Sequence, residues 1–270
     1  MKLTDSHCHL VSYQYKEEEI PEIIDRAVQA GVTQMVTLGT LPENWDRHLE
    51  LGTLYPEHVK VCLGIHPCDI HETPPESMDI LARHAAAGKL AALGETGLDY
   101  YHPAPEGWQE NGFRKLQQEY LERHFDLAAR TGLNVVIHTR DKSGNACFDD
   151  AFSLAEKYAD RVRSMFHCFI GDKQQAEKVL DIGGLLSFTG IVTFKNAVQV
   201  LDVARWCPAG SFTIETDSPY LAPDPCRGRR NEPSYVVSTA RKIAEARGES
   251  LECLAKFTTE ASETFFLRQK

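Results

Sequence analysis

Two histidines one residue apart open the chain: Asp5-Ser6-His7-Cys8-His9, in "MKLTDSHCHL", follows a short apolar entry. If that entry is a β-strand, positions i and i+2 share a face, so His7 and His9 project together and Cys8 points away. Two imidazoles on one face suit a single metal ion. A polar strand end at the surface has the same local sequence, so the meaning of the pair depends on what the fold brings beside it.

The same kind of residue recurs along the chain. His66 stands in "CLGIHP", Glu95 in "ALGETGLDY", His138 in "VVIHTR", His167 in "MFHCF", and Glu215 and Asp217 in "TIETDSPYL". These residues end short, largely apolar runs. Lys2–His7, Gln34–Gly39, Val59–Ile65, Leu90–Glu95, Asn134–His138, Ser164–His167, Gly184–Thr189 and Phe212–Thr216 read as eight strands, most of them buried on both faces. Five of the eleven histidines thus fall at strand ends, joined by carboxylates from two more strands. A mixed set of about six imidazoles and carboxylates is enough for two divalent ions with open positions for water. His48, His58, His84 and His124 fall in or beside helical stretches and His71 and His102 in loops, where structural roles are expected.

Between the strands lie helical patterns. "EEEIPEIIDRAVQAG" has apolar residues at helical spacing, acidic residues in its first turn and Gly31 as a stop. "FRKLQQEYLERHFDLAARTG" sets Leu116, Tyr120, His124 and Leu127 along one side and ends at Gly132, while "DKQQAEKVLDIGG" and "NAVQVLDVARWC" fill later crossovers. Alternation of strand and helix implies right-handed crossovers and parallel strands. Eight such units in 270 residues predict a single (β/α)8 TIM barrel domain over residues 1–270 rather than an open doubly wound sheet. In that fold the site forms at the C-terminal strand ends, where the histidines and carboxylates fall. No glycine-rich nucleotide loop is present.

A formal net charge of −10 argues against broad, nonspecific binding to duplex nucleic acid, which depends on neutralising many phosphates. Eight scattered cysteines without a CxxC pair fit reduced thiols in the cytoplasm. No signal segment is evident, and no run approaches the ~20 apolar residues that span a bilayer, so a membrane role is not expected.

Taken together and in this order, "DSHCHL", "GIHP", "GETGLDY", "HTR", "HCF" and "ETDSPYLAPDPCRGRRNEP" resemble the TatD family of metal-dependent deoxyribonucleases, within the wider amidohydrolase-like barrels. The resemblance covers nearly the whole chain. It implies that His7, His9 and Asp217 hold one metal, His138 and His167 a second, and that Glu95 bridges them. In many related barrels a carboxylated lysine bridges from strand four; Glu95 in that position favours the TatD branch. His66 resembles a residue beside the site that meets substrate phosphate. The resemblance implies two divalent ions (magnesium, manganese or zinc) that share a water and lower its pKa, with Glu95 and Asp217 as the catalytic carboxylates. It also implies hydrolysis of phosphodiesters at nucleic-acid ends, of a 3′-to-5′ exonuclease type with single-stranded DNA favoured, and no obligatory protein partner.

Cations near the rim would suit that substrate. Arg140 follows His138, Lys173 and Lys195 follow strands six and seven, and Arg227, Arg229 and Arg230 cluster just past Asp217. Arginine forks fit phosphate, so Arg140 and the three clustered arginines, with Asn231, are the expected substrate contacts. Pro223, Pro225 and Pro233 shape the loop, and Tyr100 and Tyr101 offer stacking surfaces for bases. Two other functions use the same ligand set: an amidohydrolase-type enzyme that cleaves a small amide, lactone or aminoacyl ester, and a non-catalytic metal-binding protein on an inherited barrel.

Overall fold

The computed structural model describes residues 2–267. Its strands are β1 (Leu3–Cys8), β2 (Val32–Gly39), β3 (Val59–Leu63), β4 (Ala92–Asp99), β5 (Val135–Arg140), β6 (Ser164–Phe166), β7 (Leu185–Phe188) and β8 (Phe212–Ile214). They pair in sequence order, all parallel. Helices fill the crossovers: α1 (Ile20–Gln29), α2 (Trp45–Leu54), α3 (Ser77–Ala86), α4 (Glu110–Thr131), α5 (Ala146–Tyr158), α6 (Lys173–Asp181) and α7 (Val198–Trp206). After β8 come α8 (Val236–Arg247) and α9 (Leu251–Phe265).

The sheet closes where its last segment returns to its first. The Asp217 amide donates to the His7 carbonyl (2.9 Å) and the His9 amide to the Ser218 carbonyl (2.8 Å). The buried Asp5 carboxylate reinforces the seam, accepting from the Thr216 amide (2.8 Å) and hydroxyl (2.6 Å). This is the expected TIM barrel, and the closure sets His7, His9 and Asp217 side by side.

Two apolar layers hold it. Outside the barrel, Leu93, Val135, Ile137, Phe188 and Phe212 pack with Ile23, Leu81, Phe125 and Val203 of the surrounding helices. A second cluster joins Val36, Cys62, Val136 and Met165 to Phe265 and Phe266 at the end of α9. His138 lies two residues beyond Val136 and continues that face towards the C-terminal rim.

Strand β4 departs from the expected ending at Glu95. It runs on to Asp99, with a register shift against β5 between Leu93 and Thr96. Glycines permit this. At Gly97 (φ +150°) a Cβ would sit 2.0 Å from the His138 carbonyl, so only glycine fits where β4 and β5 approach so closely. The extension carries a second carboxylate, Asp99, to the rim four residues past Glu95.

Among the described residues, no helix is long and apolar enough to cross a membrane.

Candidate metal centre

Six side chains predicted from the sequence meet at the C-terminal mouth of the barrel, with Glu95 in the middle. Its Oε2 faces one group: His7 Nε2 at 3.3 Å and His9 Nε2 at 3.7 Å. Asp217 Oδ1 completes that group, 3.4 Å from His9 Nε2 and 3.7 Å from His7 Nε2. Glutamate Oε1 faces the other, with His167 Nε2 at 2.7 Å and His138 Nδ1 at 2.8 Å. Nitrogen and oxygen ligands about 2.0–2.2 Å from a tetrahedral ion stand roughly 3.3 Å apart, close to the spacings in the first group.

Hydrogen bonds on the far side of the His9 and His138 rings aim them inward, and a carboxylate stands behind His167. His9 Nδ1–H donates to the Leu38 carbonyl (3.0 Å), which leaves the Nε2 lone pair towards the centre. His138 Nε2–H donates to Asp99 Oδ2 (3.2 Å), which turns Nδ1 towards Glu95. Behind His167, Nδ1 lies 3.4 Å from Glu215 Oε1, and that oxygen is fixed by the Cys168 amide at 2.7 Å. Carboxylates behind histidines are the usual support of a metal ligand.

The electrostatics agree with the geometry. Burial alone would push the Glu95 carboxyl up, but His167, His138 and His7 outweigh it and hold it well below the usual carboxylate range. Burial is likewise overcome at Asp217, which His9 and His7 lower, and at Asp99, which His138 and His102 lower. Burial opposes a charge on His167 and His138. Carboxylates reverse the balance: Glu95 and Glu215 raise His167, and Asp99 and Glu95 raise His138. Buried His7 Nδ1 and Glu215 Oε2 have no hydrogen-bond partner. A buried nest of ionised carboxylates beside imidazoles, with unmet polar atoms, fits divalent cations.

His66 borders the nest, one of its nitrogens within 4.8 Å of ligand atoms of Glu95 and His138. Its Nδ1 accepts from the Cys68 amide (3.2 Å), so the hydrogen sits on Nε2, which faces Glu95 Oε1 at 3.7 Å. Burial, with His138 nearby, holds the ring neutral, its pKa pushed down to about 3. A neutral N–H donor beside the centre fits contact with substrate better than metal ligation.

The expected substrate contacts divide. Arg140 is exposed, with its guanidinium over the Tyr101 ring (4.0 Å). Arg227 and Arg229 are exposed in the loop after β8, Arg227 against Phe194 (3.9 Å). Arg230 is instead tied down: it donates to Glu19 Oε2 (2.8 Å) and to the Gln14 carbonyl (2.7 Å). Asn231 is fully buried, its amide donating to the Thr216 (2.9 Å) and Tyr220 (2.5 Å) carbonyls, so it shapes the loop and is not available to substrate. Tyr100 is also lost as a stacking surface, buried with its hydroxyl donating to Asp150 Oδ2 (2.8 Å), whereas Tyr101 stays exposed. Asp99 went unnoticed in the sequence because the glycines of "GETGLD" read as a strand end. Glu215 was placed at the rim with no role assigned.

Residues 4–267 match the family described as TatD related DNase. The chain belongs to the TatD-related DNase family. Among relatives, the Escherichia coli K12 protein YcfH, called an uncharacterized metal-dependent hydrolase, is 37% identical over 265 residues, covering 96% of this chain and 94% of its own. Bacillus subtilis YabD, described in the same words, is 34% identical over 264 residues, covering 98% of both chains. The crystal structure of the TatD homologue YjjV from Escherichia coli superposes with a TM-score of 0.86 at 26% identity, covering 98% of this chain and 97% of that one. The TatD barrel thus accounts for nearly the whole chain.

Proposed function

We propose that this TatD-family protein is a metal-dependent hydrolase that removes nucleotides from nucleic-acid ends, a 3′-to-5′ exonuclease that favours single-stranded DNA. The observation that carries the reading is Glu95: one carboxylate divided between two groups of ligands, His7, His9 and Asp217 on one side, His138 and His167 on the other. That arrangement supports two divalent ions, magnesium, manganese or zinc. When bound, such a pair lowers the pKa of a shared water and neutralises phosphoryl oxygens.

The chain's own residues supply the rest. Asp217, held ionised, accepts the proton from the attacking water. Glu95 stays ionised between the two groups and fixes their separation. His66 Nε2–H donates to a non-bridging phosphate oxygen without carrying charge. Arg140, Arg227 and Arg229 leave the same rim as the ligands and hold flanking phosphates, while Tyr101 stacks on a base. A recessed centre that engages only a chain end favours single strands, because a duplex must fray first. A single barrel domain acting in the cytoplasm suits a chain in which none of the eight cysteines forms a disulfide. No protein partner or membrane is required.

The test is a turnover screen of the metal-reconstituted protein on 3′- and 5′-labelled DNA and RNA oligomers, single- and double-stranded, beside lactone, amide and aminoacyl-ester substrates. Stepwise shortening of single-stranded DNA from the 3′ end is the expected result. Turnover confined to the carbonyl substrates would overturn the phosphodiester assignment.

A further inference from the structure

Among the described residues, one other cluster of ligating side chains stands outside the cage formed by His7, His9, Glu95, His138, His167 and Asp217. Cys68 lies in the loop between β3 and α3, Asp99 ends β4, and His102 follows in the loop towards α4. One ligand atom from each lies within 4.8 Å of the others. Cys68 Sγ is 3.8 Å from His102 Nδ1, and that nitrogen is 3.0 Å from Asp99 Oδ2. With zinc bonds of about 2.3 Å to sulfur and about 2.0–2.1 Å to nitrogen or oxygen, tetrahedral geometry sets these edges at roughly 3.6 and 3.3 Å. The two edges that meet at His102 Nδ1 lie within a few tenths of an ångström of those values.

Its carboxylate is already aimed. Asp99 Oδ1 accepts from the Tyr101 (3.0 Å) and His102 (2.9 Å) amides, which leaves Oδ2 towards Cys68 and His102. The His102 side chain is about half exposed (51%), so solvent reaches the fourth position. The cage itself offers no sulfur: Cys8 Sγ turns away to the Val36 carbonyl (3.3 Å), and Cys168 Sγ lies 3.9 Å from Thr189 Oγ1.

We propose that Cys68, Asp99 and His102 form a separate site for a thiophilic divalent cation of the zinc class, with water as the fourth ligand. Thiolate selects soft and borderline ions, so this site discriminates against magnesium and manganese, which the nitrogen–oxygen cage accepts. Asp99 Oδ2 also accepts from His138 Nε2 (3.2 Å), so the ion sits one carboxylate away from the cage.

The site is tested on the full-length metal-stripped protein by cobalt(II) titration. Wild type is expected to develop a near-ultraviolet thiolate-to-cobalt absorption that Cys68→Ser abolishes and His102→Asn weakens, while the visible bands from the cage are retained in both. Those visible bands also report that the variants fold. No substrate enters the measurement, so the outcome is independent of the hydrolase reading and of how many ions the cage takes. In wild type, zinc should slow alkylation of Cys68 by about tenfold or more and leave the exposed Cys253 unchanged. Absence of the thiolate absorption at saturating cobalt, its survival in Cys68→Ser, or unprotected alkylation of Cys68 with zinc present would each overturn the proposal.

Discussion

His124 and His167 are about equally inaccessible to solvent, yet the fold treats them in opposite ways. His124, on α4, donates from Nδ1 to the Tyr120 carbonyl (2.7 Å) and accepts at Nε2 from the Ile65 amide (3.3 Å). Both nitrogens are consumed by main chain, and burial pushes the ring down to about 4. His48 on α2 is similar, its Nδ1 beside the Thr37 hydroxyl (3.0 Å) and its pKa pushed down to about 3. At His167 burial acts the same way, but two carboxylates, Glu95 and Glu215, reverse the result. Burial of a histidine therefore says little about its work. What separates the cage from the core is Glu95 on the near side of each ring, with a further carboxylate behind His138 and His167.

The largest effects should come from breaking that distinction at its centre. Glu95→Gln keeps size and removes the charge shared by both groups, and Asp217→Asn removes the proposed proton acceptor. Each should lower kcat by about a thousandfold in metal-replete protein, the scale of losing a preorganised charge at the reacting centre, with the circular dichroism spectrum unchanged. Near-normal steady-state turnover in either variant contradicts its role.

A smaller effect should follow behind the cage. Asp99→Asn leaves every ligand of the cage present but withdraws the charged acceptor from His138 Nε2. Loss of about 10–100-fold in metal affinity, read by competition with a chelating dye, is the expected outcome. Unchanged affinity would mean that the ring is oriented by packing alone.

The core histidines sharpen the comparison through pH. His124 has a folded value below that of the unfolded chain, so the unfolded state binds the extra proton between about pH 6.5 and 4. Its neutral form therefore favours the fold above that window, and stability is lost as pH falls through it. His124→Gln should destabilise the protein at pH 7.5, and the gap from wild type should narrow by about 2 kcal/mol at pH 5. Urea unfolding at the two pH values measures this difference, and a constant gap argues against a neutral buried ring.

The smallest effect belongs to the outer rim. Arg227→Ala with Arg229→Ala should raise KM for oligonucleotides by about 3–10-fold and leave hydrolysis of a small phosphodiester unchanged. Arg230→Ala should instead lower thermal stability slightly, because its side chain serves Glu19 and Gln14.

Much of this was legible in the sequence, for a physical reason: a barrel delivers every strand end to one face, so chemistry-bearing residues in those positions converge whatever the details of packing. The convergence of His7, His9, Glu95, His138, His167 and Asp217 was expected on that ground. The boundary of β4 was not, because Gly94 and Gly97 signal a break in a single strand and reveal their purpose only when β5 lies against them. Asp99 was hidden with it. Long-range pairing was equally invisible. Nothing in "CRGRRN" tells that Arg230 reaches back 211 residues to Glu19 while Arg229 stays at the surface, or that Asn231 spends its amide on two carbonyls.

We propose that Glu95 would hold two divalent ions, one at each carboxylate oxygen. Anomalous diffraction from manganese-soaked crystals tests it most directly, and the hard ion leaves the thiol cluster at Cys68 out of the measurement. Two peaks are predicted at the barrel mouth, one between Glu95 Oε2, His7, His9 and Asp217, the other between Glu95 Oε1, His138 and His167. A single peak, or peaks that bypass Glu95, would contradict the claim.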